Sequence, residues 1–302
     1  MPTLPATALP APEQDPSTTG PGGLTVRPAT AADADALADI DRRRADDHAW
    51  ACPRDAAVWR HEIAGHRPTS LIRREVAVLQ HGNEICGYLI HGARLSMAGH
   101  LIVVSAACED PGDWPRAAPA MHGYLGEVGR QYEATADRPF TAVRQILDPE
   151  HPLVRLGPPG VPQRPRGWFV RTGDAANLLA RLQPLLRDRW RAAGLRWPEP
   201  ALTIDAYGPA CRLEFTDGEL KAVTAVRGVP DPSTGPQTHA TIPPGALLQL
   251  ALGHRTLPHV LDTWPDCLVR DRATEHFLTA AFPPGSRPHL APQLRPHLSW
   301  DC

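Results

Sequence analysis

The sequence predicts two domains, an α/β domain with a mixed sheet and, after it, an α+β domain. Three observations carry this. Residues 101–108 are an unbroken apolar run rich in β-branched side chains, as a strand buried on both faces requires. Met121, Leu125, Val128 and Tyr132 then recur at i, i+4, i+7 and i+11, one face of a helix. In the second half, strand patterns at 202–206, 211–215 and 219–226 precede an apolar helix. A length of 302 residues accommodates about two domains, and 42% hydrophobic residues suffice for folded cores.

Residues 1–23 are rich in Pro, Ala, Thr and Gly, with almost no large apolar side chains, and are expected to be a disordered tail. The first domain, 24–172, opens with a strand at 24–27. Thr30 caps a helix with Asp33 three residues on, a variant of the capping box. Leu37 and Ile40 form its apolar face, and Arg42, Arg43 and Arg44 end it as a solvated cluster. A second helix is expected at 55–64, stopped by Gly65 and Pro68. Apolar patterns on both sides of His81-Gly82-Asn83 make 75–91 a hairpin. After the buried strand and long helix come a strand at 140–147, a short helix at 149–156 and a strand at 167–171. The order is β-α-α-β-β-β-α-β-α-β.

The second domain, 173–302, begins with a helix lined by Leu178, Leu179, Leu182, Leu186 and Trp190 and kinked at Pro184. Thr216-Asp217-Gly218 is a hairpin turn. Residues 240–242 are extended, Pro244 opens an apolar helix, and 272–282 form the last helix.

Net charge is −2, from 31 basic and 33 acidic residues, which gives no pull toward nucleic acid or an anionic membrane. No run approaches the roughly 18 apolar residues of a membrane span, and the N-terminus lacks the pattern of a secretion signal. Six scattered cysteines include Cys86 and Cys108 inside apolar strand patterns, where they read as small core residues. A cytoplasmic protein with reduced thiols is expected.

Val26-Arg27-Pro28-Ala29-Thr30-Ala31-Ala32-Asp33, then Gly87-Tyr88-Leu89-Ile90, then His151-Pro152-Leu153 with Leu156-Gly157, resemble in order and spacing the GNAT acyltransferase superfamily. Leu213-Glu214-Phe215-Thr216-Asp217-Gly218, the stretch 242–253 and Ala281-Phe282-Pro283 resemble a sterol-carrier-like domain. A GNAT-like half followed by such a domain resembles the enhanced intracellular survival family of acetyltransferases. That family usually carries two GNAT-like units, and this chain has room for one. The resemblance implies transfer of an acetyl group from acetyl-CoA to an amine, on a small molecule or a peptide, without a metal. It leaves homo-oligomer formation open. The alternative is a catalytically silent GNAT-like scaffold fused to a sterol-carrier-like binding module.

The resemblance places the donor against Val104, Ala106 and Arg116. GNAT enzymes hold the pyrophosphate of acetyl-CoA on a (Q/R)-x-x-G-x-(G/A) turn, where unpaired backbone N–H groups and the helix dipole attract an anion. Here the junction reads Glu109-Asp110-Pro111-Gly112-Asp113-Trp114-Pro115-Arg116. The second glycine is missing, two prolines bring no N–H, and three carboxylates repel a pyrophosphate. For catalysis the resemblance implies a tyrosine acid and, in the survival family, the C-terminal carboxylate. Tyr88 and Cys302 are the candidates. Tyr124 and Tyr132 fall in phase with an apolar helix face and read as core. Gly123, Gly126 and Gly129 read as close-packing positions on that helix. His61 and His66 are i, i+5 and diverge on an α-helix, unlike the i, i+4 pair of a zinc protease. Leu247, Leu248, Leu250 and Leu252 face a choice between an apolar cavity and an ordinary filled core, with the filled core expected.

Overall fold

A computed structural model describes residues 2–9, 23–45, 52–136, 138–162, 171–208, 210–226 and 238–284. They fall into two compact units, within 2–162 and within 171–284.

The first unit contains, in chain order, β1 (Pro2–Pro5), β2 (Leu24–Pro28), α1 (Ala34–Ala45), α2 (Ala56–Arg60), β3 (Arg74–His81), β4 (Glu84–Gly92) and β5 (His100–Cys108). Then follow α3 (Trp114–Thr135), β6 (Ala142–Gln145), α4 (Pro152–Arg155) and β7 (Val161–Pro162). One sheet holds the strands in the order β2-β3-β4-β5-β6-β1-β7. Of its pairings, β5 with β6 is parallel, and the others are antiparallel. From β2 to α4 the elements follow the expected order. The strand expected at 167–171 lies, apart from Arg171, outside the described residues.

The sheet is covered on both faces, which explains the unbroken apolar run of β5. Leu37, Ile40, Trp59, Val78 and Tyr88 pack on the α1–α2 side. Leu89, Leu101, Met121, Leu125 and Val143 pack on the α3 side. Entry to α1 is fixed by charge: Arg27 grips both Asp33 oxygens at 2.8 Å, and the Thr30 N–H donates to Asp33 Oδ2 at 2.7 Å. The Arg27 hydrogen bonds hold the Asp33 carboxyl down at about 2.

One expectation fails at its start. Residues 2–5 are a strand of the sheet, not a disordered tail, with Thr3 opposite Arg144 and Leu4 opposite Val143. Two leucines in the biased segment supply the anchors: Leu4 is 1% exposed and Leu9 also enters the α3-side core. Residues 10–22 lie outside the described set.

The glycines of α3 separate by packing. A Cβ on Gly129 would lie 2.3 Å from the Phe140 ring, whereas one on Gly123 meets nothing within 4 Å. Gly123→Ala should therefore gain about 1 kcal/mol of helix propensity. Gly129→Ala should lose about 1–3 kcal/mol to overpacking. Urea midpoints of the two variants check this, and equal shifts would refute the packing account.

The second unit contains α5 (Ala175–Arg181), α6 (Gln183–Ala192), β8 (Ala201–Asp205), β9 (Ala210–Thr216), β10 (Glu219–Val226) and β11 (Ala240–Thr241). It continues with α7 (Pro244–Ala251), α8 (Leu257–Thr263), β12 (Leu268–Val269) and α9 (Arg272–Ala281). The strand order is β10-β9-β8-β11-β12. Pro184 stands in the first turn of α6, where its missing N–H costs nothing, and the predicted kink is the break between α5 and α6. Asp217 and Gly218 make the β9–β10 turn with φ of 52° and 76°, the left-handed pair that a two-residue hairpin needs. Trp190, Trp197, Phe215 and Phe277 pack ring on ring at 4.9–6.3 Å. Leu247 and Leu250 are buried in the same core.

Candidate active site at the parting of two strands

β5 and β6 run side by side for four residues, from His100 opposite Ala142 to Val103 opposite Gln145. The Ile146 N–H then donates to the Val103 carbonyl at 2.8 Å, and the ladder ends. β5 continues to Cys108, and among the described residues 105–108 pair with β4 alone. At the same place β5 gains a residue. Ile90 pairs with Ser105 and His91 with Val103, so Val104 is an unpaired bulge. The bulge reverses the alternation of the strand: Leu101 and Val103 face the α3-side core, and beyond it Ala106 and Cys108 do. Beyond Val103 the edge of β5 that faced β6 has no strand paired to it among the described residues, which leaves backbone there for an extended ligand.

Three residues from other elements crowd this opening. His151, at the start of α4, sets its ring edge-on to Trp114 at 5.1 Å. Its Nδ1 accepts from the Leu153 N–H at 3.2 Å, so Nε2 carries the proton and donates to the Ala106 carbonyl at 3.2 Å. His122 on α3 faces Gln145 at 2.9 Å. Burial holds His122 down at about 4, while a backbone bond to Ala118 opposes the shift, so the ring is neutral near pH 7. With Ala118 taking the Nδ1 proton, His122 Nε2 is the acceptor and the Gln145 amide nitrogen the donor. Gln145 Oε1 is left buried with no partner among the described residues.

The junction after β5 has its own network. Asp110 Oδ1 accepts the Gly112 N–H at 2.7 Å. Glu109 pairs with Arg43 at 2.9 Å, and Asp113 pairs with Arg116. The backbone amide that an anion would need is thus bound to a carboxylate of the same turn, and Arg116 is already engaged. The turn does not fit the pyrophosphate of acetyl-CoA.

The sequence-predicted residues are distributed as follows. Val104 is the bulge itself, half-buried, and packs toward the α1–α2 side. Ala106 is buried beside it. Tyr88 is 1% exposed, on the opposite face of the sheet from His122. Its hydroxyl donates to Asp41 Oδ1 at 2.6 Å and accepts from Arg54 at 3.0 Å. Burial pushes its phenol far above the ordinary range. Cys302 lies outside the described residues. Burial also raises the Cys86 thiol to about 11 and pushes the Cys108 and Cys211 thiols up, which leaves these three unreactive. His122 and Gln145 were not singled out from sequence, and His151 only as part of a motif.

The histidine pair behaves differently from expectation. Residues His61–Gly65 form a π-helical turn, which brings i and i+5 together, and the His61 and His66 rings stand 4.7 Å apart. Among the described residues no three His, Cys, Asp or Glu side chains are grouped to hold a metal. Among the same residues no helix is long and apolar enough to cross a membrane.

By structure the chain is similar to a GCN5-related N-acetyltransferase from Anabaena variabilis ATCC 29413. The TM-score is 0.53 at 13% identity, over 95% of this chain and 64% of that one. The chain has the fold of a GCN5-related N-acetyltransferase. Two further structures match this GNAT-fold chain at lower TM-score. A conserved protein of unknown function from Enterococcus faecalis V583, a probable N-acyltransferase, gives 0.46 at 12% identity, over 91% of this chain and 62% of that one. Eis1 from Mycobacterium abscessus gives 0.46 at 17% identity, over 97% and 66%. The chain spans less than two thirds of the length of each. No protein-family model matches it, and no curated protein does.

Proposed function

We propose that the first unit is an N-acyltransferase, moving an acyl group, acetyl in the simplest case, from a thioester to an amine on a small molecule or peptide. The observation that carries this reading is the parting of β5 and β6 at the Val104 bulge, within a GNAT fold. A donor arm in the parting would run along 104–106, where β5 has no second strand beside it among the described residues and the His151 ring holds the Ala106 carbonyl. The amine nitrogen attacks the thioester carbon, so the C–N bond forms and the C–S bond breaks. The thiolate leaves with the electron pair and takes up the proton that the nitrogen sheds. The protein's part is to hold donor and acceptor in line and exclude water. Tyr88 and Cys302 remain the proposed proton-handling residues. The division at 172 and 173, a sterol-carrier-like second unit and residence in the cytoplasm belong to the same proposal.

A second reading, a catalytically silent scaffold, is favoured by one observation: the carboxylates and their partners at the turn after β5. Calorimetric titration with acetyl-CoA and with S-acetylpantetheine, followed by thiol release over a panel of amines, separates the two. Binding of either donor with amine-dependent thiol release supports the transferase. Silence toward both up to roughly 1 mM, the upper end of ordinary KM values, leaves the scaffold.

A further inference from the structure

We infer that the donor taken at this parting is an acyl thioester on a short, uncharged amide arm, of the pantetheine class without a nucleotide pyrophosphate. The inference rests on the transferase reading and goes beyond it by naming the donor class. Two independent features point the same way. At the turn after β5, an anionic group would have to displace Asp110 from the Gly112 N–H. It would then lie against Glu109 and Asp113, whose partners Arg43 and Arg116 are already used. Glu109, Asp110 and Asp113 bring three carboxylates to the turn, beside Arg43 and Arg116. Pro111 and Pro115 add no N–H. At the inner end, Gln145 Oε1 is a buried acceptor with no donor among the described residues, on the last rung before the strands part. A buried unpaired carbonyl is costly, and a neutral N–H donor relieves it where an anion worsens it. The parting thus suits an amide, and the turn after β5 disfavours a pyrophosphate.

The test is a charge series: S-acetylpantetheine, its 4′-phosphate and acetyl-CoA, titrated into the full chain. The phosphate member also distinguishes a free small molecule from an arm borne on a carrier through a phosphate. Affinity is expected to fall along the series, with acetyl-CoA about tenfold or more weaker than S-acetylpantetheine. Raising ionic strength from roughly 0.05 to 0.5 M should tighten acetyl-CoA by screening the turn and leave S-acetylpantetheine unchanged. Glu109→Gln with Asp113→Asn should do the same, and the salt series stands in if that variant fails to fold. Acetyl-CoA binding tenfold tighter than S-acetylpantetheine overturns the donor class and leaves the transferase reading intact. No binding by any member overturns both.

Discussion

Asp41→Ala is expected to lower the stability of the first unit by about 3–5 kcal/mol, because it strands a buried charge. Asp41 and Arg54 are 6% and 8% exposed. The Arg54 Nε donates to Asp41 Oδ2 at 2.7 Å, and its backbone N–H donates to the same oxygen at 3.2 Å. The guanidinium lies 3.8 Å over the Trp59 ring and donates to the Tyr88 hydroxyl. Without the carboxylate, a neutral hydroxyl and a ring face are poor compensation for a desolvated cation. Asp41→Leu combined with Arg54→Met removes both charges and should recover most of the loss, since the penalty is for the orphan and not for the missing pair. Urea unfolding decides this: a double variant no more stable than Asp41→Ala would defeat the explanation. Tyr88→Phe removes one donor and one acceptor from the network and should cost about 1–3 kcal/mol. It also separates two roles for Tyr88. A structural hydroxyl leaves thiol release per folded molecule unchanged, whereas a general acid loses about 10²–10⁴-fold.

What the sequence made legible was whatever is written in local pattern. The β5 run, the Thr30–Asp33 cap, the Asp217-Gly218 turn and the Pro184 break each follow from the preferences of a few neighbouring residues. The features that make the site were not local. An extra residue at Val104 leaves an apolar run looking like an apolar run, so the bulge cannot be read from it. β1 was missed because two leucines among prolines fall short of any strand pattern; its partner Val143 is far along the chain. His151 meets Ala106 across 45 residues, and His122 meets Gln145 across 23, contacts that only the folded sheet creates. The π turn at 61–65 reversed the geometry assumed for His61 and His66. A sharper reading would have found α8, where Thr256 caps a helix with Pro258 in its first turn.

Acid should weaken the first unit well before its carboxylates titrate, and His91 is the residue responsible. Its ring on β4 is 1% exposed. Nδ1 donates to the Gly92 carbonyl at 2.9 Å, and Nε2 is buried with no partner among the described residues. The Tyr124 and Tyr132 rings lie 5.8 and 6.3 Å away, both with phenols pushed up by burial, and cross-strand Glu75 is paired with Arg73. Nothing among the described residues hydrogen-bonds Nε2, and burial lowers the imidazole from 6.5 to about 4. Above 6.5 the ring is neutral whether the chain is folded or not, so it confers no pH dependence. Below 6.5 the unfolded chain binds a proton that the folded one refuses until about 4, so stability drains away across that window. The shift corresponds to about 3 kcal/mol. His122 has the same direction of shift but a smaller expected effect, because rotating the Gln145 amide would turn its unpaired oxygen toward a protonated ring. His91→Gln loses some stability at pH 7 with the altered packing, yet its unfolding midpoint should fall less steeply from pH 6.5 to 4 than the parent's. Parallel curves for the two proteins would mean that the buried imidazole is not the acid-sensitive group.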